Sequence, residues 1–224
     1  MEDLMEILKK ELDQCSAVIF DLDGTLIDSM GMWHEIDVEY LMRFGIEAPE
    51  DLQKELEGLM YTEVAQYFKD RFHISDPISV IGDTWIQMAG EKYRKSIPLK
   101  PGVREFLADV KARNHKTAIA SSNHLQLIED ILKIHGIYDY IDAITTCDDV
   151  GRGKPDPEVY TVTAGKLGID PSSCLVFEDI PAGIQAGKAA GMRVIAVADT
   201  YSEHMREEKV RLADGYIADF RELL

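Results

Sequence analysis

Asp21 and Asp23 stand one residue apart, directly after the apolar run Val18-Ile19-Phe20, in the stretch Asp21-Leu22-Asp23-Gly24-Thr25. In extended backbone, residues two apart point to one side, so these carboxylates converge unless the chain bends. Converging acids raise each other's pKa unless a cation compensates them. Mg2+ is a natural compensator, a hard ion that takes carboxylate and carbonyl oxygens and keeps waters that a phosphate can replace. Asp-Gly is also ordinary turn chemistry, but the apolar run before the pair favours a metal and phosphate site.

Three further clusters follow apolar segments or open helices. Ser121-Ser122-Asn123 comes after Thr117–Ala120 and before a helical pattern from His124 onward. Hydroxyls there either hold a phosphate beside backbone N–H groups or simply cap the helix. Lys154 lies in Gly151-Arg-Gly-Lys-Pro-Asp-Pro157, where Asp156 and Pro157 suit the start of a helix. Held before a proline, Lys154 is either a fixed positive charge or a solvated loop residue. Glu178-Asp179 ends Cys174–Phe177, as a second acid pair for a metal or as a cap for the next helix. Ala182, Gly183, Ala186, Gly187 and Ala190 then recur at three- and four-residue spacing, which allows a helix to lie close on a sheet and place Asp179.

Positioning these groups requires a frame. Short apolar segments around 17–21, 117–120, 174–177 and 193–197 alternate with helical patterns at 103–112, 125–134, 158–167 and 182–190. That alternation predicts a parallel sheet covered on both faces, with ligands at the carboxyl ends of the strands. Residues 30–96 show helical periodicity without a strand, as in Val38, Leu41 and Met42, and Pro98 and Pro101 mark a stiff return linker. The expected organisation is a doubly wound α/β core, 1–29 and 97–224, with a small helical domain, 30–96, inserted after the first strand.

The chain has 224 residues, 24 Lys and Arg against 41 Asp and Glu, and a formal charge of −17. Such a field repels nucleic acid and anionic lipid, and any phosphate site within it must be made locally positive. The three cysteines are far apart and odd in number, as reduced thiols would be. The acidic, amphipathic stretch at 1–14 lacks the basic and apolar regions of a secretory leader. A cytoplasmic location is expected, with the chain a monomer or weak homodimer that binds no nucleic acid or membrane.

Asp-Leu-Asp-Gly-Thr at 21–25, then Ser121, then Lys154-Pro155-Asp156, then Glu178-Asp179, resemble the four motifs of the haloacid dehalogenase superfamily. The insertion after the first motif resembles the C1 helical cap of the β-phosphoglucomutase-like phosphatases. The resemblance implies a Rossmann-like core, a mobile cap and Mg2+-dependent phosphoryl transfer on a small phosphorylated metabolite, such as a sugar phosphate or nucleotide. It implies Asp21 as nucleophile and metal ligand, and Asp23 as acid and base whose backbone carbonyl also holds the metal. Asp179 completes the ligands, with Glu178 a further ligand or its neighbour. Ser121, Ser122, Asn123 and Lys154 would hold the phosphoryl group.

Where the mutases of this group carry a basic residue in the cap, this chain has Leu56-Glu57-Gly58-Leu59-Met60-Tyr61, and Trp33 stands where they use a hinge histidine. These differences favour a phosphomonoesterase over a hexose-phosphate mutase. Asp23 with Glu178-Asp179 disfavours a metal-free dehalogenase, and the intact motifs disfavour a non-enzymatic phosphate-binding module. Trp33, Gly58, Tyr61 and His124 are the expected substrate-specificity residues.

Overall fold

The computed structural model describes residues 4–224; the first three residues of the expected core lie outside them. The chain opens with α1 (Leu4–Gln14) and β1 (Ala17–Phe20), then runs through α2 (Met30–Met42), α3 (Leu52–Leu56), α4 (Tyr61–Arg71) and α5 (Ile78–Ser96). It continues with α6 (Val103–Ala112), β2 (Lys116–Ser121), α7 (Leu125–Ile134), β3 (Ala143–Thr146), α8 (Cys147–Val150) and α9 (Glu158–Leu167). The last elements are β4 (Cys174–Glu178), α10 (Pro181–Ala189), β5 (Arg193–Val197), α11 (Arg206–Leu212) and β6 (Gly215–Ile217).

Six parallel strands form one sheet in the order β3-β2-β1-β4-β5-β6. This is the Rossmann-like order, and its direction reverses beside β1, where loops from the two halves diverge and leave a crevice at the strands' carboxyl ends. Phe20 is in register with both Ile119 and Phe177. Asp21, Ala120–Ser121 and Glu178 therefore emerge at one level of the sheet. β3 and β6 go beyond the four strands expected. Ala-Ile-Thr-Thr and Gly-Tyr-Ile are too short to show periodicity, and each pairs at an edge.

Alternation along β1 sends Ala17 and Ile19 to one face and Val18 and Phe20 to the other, into separate apolar layers. Phe20 stacks on Phe177 with centroids 5.4 Å apart, and Phe106 and Phe220 close around Phe177 at 5.3 and 5.1 Å. Deleting one such ring from a buried layer costs about 3–5 kcal/mol. The strand bearing Asp21 is therefore anchored on both faces.

Residues 30–96 contain α2 to α5 and no strand. Phe68 and Tyr40 meet Trp85 edge-on at 4.9 and 5.6 Å, and this cluster continues into the Phe20 layer. The two connections to the core run side by side. Asp28 N–H donates to the Pro98 carbonyl at 3.0 Å, and Lys100 N–H to that of Leu26 at 2.9 Å. The Lys100 ammonium is pinned in turn to Ala198 O at 2.9 Å and to buried Asp199 at 2.6 Å. No helix among the described residues is long and apolar enough to cross a membrane.

Candidate active site

Asp21 follows β1 directly, and its N–H donates to the Phe177 carbonyl at 3.0 Å, which extends the sheet pairing by one residue. Its buried carboxylate accepts from Lys154 Nζ at 2.6 Å. The same ammonium donates to Glu178 at 2.5 Å and to the Ala120 carbonyl at 3.3 Å, so all three of its protons are used. Lys154 thus ties the ends of β1, β2 and β4 together. Tyr160, from α9, donates to the Glu178 oxygen that Lys154 holds, at 3.0 Å. The other Glu178 oxygen accepts from the N–H groups of Asp179 and Ile180 at 2.8 and 3.2 Å.

Asp21, Glu178 and Asp179 each place a carboxylate oxygen within 4.8 Å of the others. Glycine makes room for this crowding. A Cβ on Gly183 would lie 1.7 Å from the Glu178 carboxylate, and one on Gly24 would lie 2.2 Å from that of Asp179. Gly24 also has φ +82°, a conformation that side chains disfavour. The small residues of α10 therefore seat Glu178, whereas Asp179 is seated by Gly24 and by the hydroxyl of Thr25 at 3.1 Å.

The electrostatics follow from three buried acids around one lysine. Burial pushes the Asp21 carboxyl up to about 8, against the pull of Lys154. Burial, with Glu178 and Asp21, holds Asp179 well above the usual carboxylate range. Burial alone would lower the Lys154 ammonium, but Asp21 and Glu178 outweigh it and hold it well above its ordinary value. One ammonium among three acids leaves the cluster short of positive charge, and the acids offer only oxygen ligands, which fits a hard divalent cation. Because the oxygens of Glu178 are engaged by protein donors, Asp21 and Asp179 offer the freer carboxylates.

Asp23 is held differently. One oxygen accepts from Ser29 Oγ at 2.6 Å and from the Trp33 indole N–H at 2.8 Å. The other accepts from Asn123 Nδ2 at 2.8 Å, and that amide also meets the hydroxyl of buried Tyr93 at 3.2 Å. α2 therefore reaches this acid directly, and α5 reaches it through Asn123. Charge-bearing hydrogen bonds of this kind fix orientation as well as energy.

One cavity of about 240 Å³ brings together the ends of β1, β2 and β4, the Lys154 loop, α2 to α5 and the 199–205 loop. Asp21, Asp23, Ser121, Ser122, Asn123, Lys154, Asp179, Trp33, Gly58 and Tyr61 all line it. Ser121 Oγ accepts the Asn123 N–H at 3.1 Å, while Ser122 Oγ pairs with Cys147 Sγ at 3.4 Å. The Asn123 N–H is thus engaged internally, and its side chain serves Asp23. Gly58, at φ +77°, lets its loop approach the Lys154 carbonyl, where a Cβ would come within 2.6 Å. Tyr61 presents its ring, since its hydroxyl donates to the Gly82 carbonyl at 2.9 Å.

His124 is the one residue of the expected specificity set that does not line the cavity. Its Nδ1 accepts the Gln126 N–H at 3.3 Å to cap α7, and its ring packs 5.5 Å from Tyr61. Conversely, His204 has the polar pattern of a surface residue but sits at the cavity rim. Ser29, Asp37, Gln53, Trp85, Tyr93 and Tyr160 carry no motif. Only Ser29, six residues past Asp23, is close enough in sequence to have been sought.

The family model for haloacid dehalogenase-like hydrolases matches residues 18–197. Hexitol phosphatase B of Escherichia coli strain K12 is 32% identical, covering 94% of this chain and 95% of the relative. A phosphorylated carbohydrates phosphatase of Thermotoga maritima is 30% identical, covering 90% and 92%. Among solved structures, CbbY from Rhodobacter sphaeroides in complex with phosphate superposes with a TM-score of 0.83 at 25% identity, covering 93% of this chain and 96% of that one.

Proposed function

The chain belongs to the haloacid dehalogenase-like hydrolases, and from that premise we propose that it is a Mg2+-dependent phosphatase of small sugar or polyol phosphates. It acts on phosphoric monoesters, as its relatives named as phosphatases do. The observation that carries the reading is the buried cluster Asp21–Lys154–Glu178–Asp179 at the floor of a cavity whose wall holds Asp23.

Asp21 is the nucleophile. One carboxylate oxygen attacks phosphorus, the bond from phosphorus to the ester oxygen breaks, and an aspartyl-phosphate forms. Asp23 gives its proton to the departing alkoxide, so the alcohol leaves neutral. It then takes a proton from the water that attacks phosphorus, and phosphate departs with Asp21 restored. Ser29, Trp33 and Asn123 hold Asp23 in line for both transfers. Lys154 offsets charge beside Asp21, and Ser121 offers a hydroxyl to a phosphoryl oxygen. Asp21, Asp179 and the Asp23 carbonyl would hold Mg2+, with Glu178 orienting Lys154. The bound ion would neutralise the acids and polarise the phosphoryl group. Residues 30–96 act as a cap whose closure excludes bulk water from the phospho-enzyme.

A mutase must grip a second phosphate. The cap residues that line the cavity include Asp37 and Glu57, with exposed Lys54 their single cation, which disfavours that reading. A steady-state screen of phosphorylated metabolites with Mg2+ tests the proposal. Turnover should vanish in Asp21→Asn and in EDTA. Persistence through both, or no turnover across the panel, would sink it.

A further inference from the structure

Among the described residues, three side-chain pairs join residues 30–96 to the core by hydrogen bonds: Trp33 with Asp23, Tyr93 with Asn123, and Thr62 with Asp148. Trp33 stands in the first turn of α2 and Tyr93 in the last turn of α5, each beside one of the two linkers. Thr62 stands elsewhere, in the first turn of α4. The hydroxyl of its neighbour Tyr61 donates to the Gly82 carbonyl, about 16 Å along the axis of α5 from Tyr93. A cap that turns about its linkers carries groups beside them through short arcs and groups far from them through long ones. Thr62–Asp148 is therefore the pair that opening separates most and that resists opening with the longest lever.

The chemistry of the pair suits a reversible contact. Thr62 Oγ1 donates to Asp148 Oδ1 at 2.7 Å, and the Thr62 N–H points to the same oxygen at 3.5 Å. The N-cap residue of α4 is Met60, which brings no side-chain oxygen. Asp148, on α8 of the core, thus supplies from the other side of the domain boundary the acceptor and the negative charge that a helix start favours. Glycines bring the two sides together. A Cβ on Gly153 would lie 2.5 Å from the Gly58 carbonyl oxygen, and one on Gly58 would lie 2.6 Å from that of Lys154. The cap loop and the lysine loop therefore meet backbone to backbone. The His124 ring, at the start of α7, packs against Tyr61 beside Thr62. Neither Thr62 nor Asp148 lines the cavity, so neither touches the reacting groups.

We propose that Asp148 is a positioning residue that latches the cap shut through Thr62, and that release of this latch sets how readily phosphate leaves the closed site. The inference rests on the phosphatase reading and on the cap it invokes.

Trp33 and Trp85 are the two tryptophans of the chain, so Trp85→Phe leaves Trp33, on the cavity wall, as a single reporter. Acrylamide quenching of Trp33 in the presence of Mg2+ and inorganic phosphate then reads opening without turnover. In that background Thr62→Val and Asp148→Ala should each raise the quenching constant at least twofold. Asp148→Asn, which keeps an acceptor oxygen, should raise it less. Fraying of α4 alone would not move a reporter on α2. With both tryptophans present, the inhibition constant of inorganic phosphate against p-nitrophenyl phosphate should rise about tenfold in Thr62→Val and Asp148→Ala, the worth of one hydrogen bond to a charged acceptor. Their kcat should stay within twofold of wild type or rise. Quenching and inhibition unmoved in both variants, or a fall in kcat with no rise in the inhibition constant, would overturn the latch. Thr62 is exposed, so Thr62→Val decides the matter even if Asp148→Ala fails to fold. Wild-type turnover that is lost in Asp21→Asn upholds the phosphatase reading whichever way the latch falls. A wild type without turnover overturns that reading, and the quenching comparison still decides whether Asp148 holds the cap shut.

Discussion

Gly183→Ala should damage the protein far more than its single added methyl group suggests. The new Cβ would lie 1.7 Å from a Glu178 oxygen and 2.0 Å from its carboxyl carbon. Ordinary contact begins near 3.4 Å, so the carboxylate must retreat by about 1.7 Å or the helix must shift. Either movement breaks the contacts of that oxygen with Lys154 at 2.5 Å and with Tyr160 at 3.0 Å. Lys154 is then left buried with Asp21 as its single acidic partner. Breaking a buried ion pair costs about 3–5 kcal/mol. For a chain of this size that is a fall of roughly 10 °C in Tm. Gly165→Ala in α9 is the matched control, since nothing lies within 4 Å of its Cβ. Relief of the helix-interior glycine should there add about 0.5–1 kcal/mol. The assay is calorimetric Tm together with steady-state turnover of a phosphate ester. Wild-type Tm and wild-type turnover in Gly183→Ala would refute the view that Glu178 is held in one place to orient Lys154.

Trp33→Phe removes one of the three donors to Asp23 while keeping an apolar ring; kcat should fall about tenfold with KM little changed, and an unaltered kcat would deny Trp33 its positioning role. Mg2+ at about 100 times its Kd should stabilise the fold by about 2.7 kcal/mol, read as a rise in Tm that Asp179→Asn largely abolishes. Burial pushes the Asp37 carboxyl up to about 7, against the hydrogen bond from Gln53. Its folded pKa is raised above the unfolded value of 3.8, so the stability it contributes in the neutral form is lost as pH rises from about 4 through about 7. Asp37→Asn should therefore stabilise the fold at pH 8 by on the order of a few kcal/mol, read as a higher Tm, and by less at pH 5. Equal changes at the two values would show that Asp37 is not the group responsible.

The helices at 103–112, 125–134 and 158–167 coincide with those expected, because their apolar positions repeat at helical spacing. The four central strands were readable as apolar runs, since strands covered on both faces need no alternation. β3 and β6 were not, because three or four residues at an edge take their structure from the neighbouring strand rather than from their own pattern. Ser121, Lys154 and Asp179 were readable as groups at strand ends and before helices, and they line one cavity. His124 lies outside that lining, because a position after the Ser-Ser-Asn turn says nothing about which way a ring turns.

By itself the sequence determined which acids, hydroxyls and lysine stand at the ends of apolar strands, and hence the kind of chemistry they can support. Local pattern suffices for that, because a parallel strand delivers the residue after it to one edge of the sheet. Tertiary structure alone decided how those groups divide the work. Glu178 is spoken for by Lys154, Tyr160 and two backbone N–H groups, whereas Asp23 is gripped by Ser29, Trp33 and Asn123. Asp37 on α2 and Gln53 on α3 meet through a 2.7 Å hydrogen bond although they are sixteen residues apart. Hydrogen-bond partners and burial depend on contacts between distant segments, and no spacing along the chain encodes which donor will reach which oxygen.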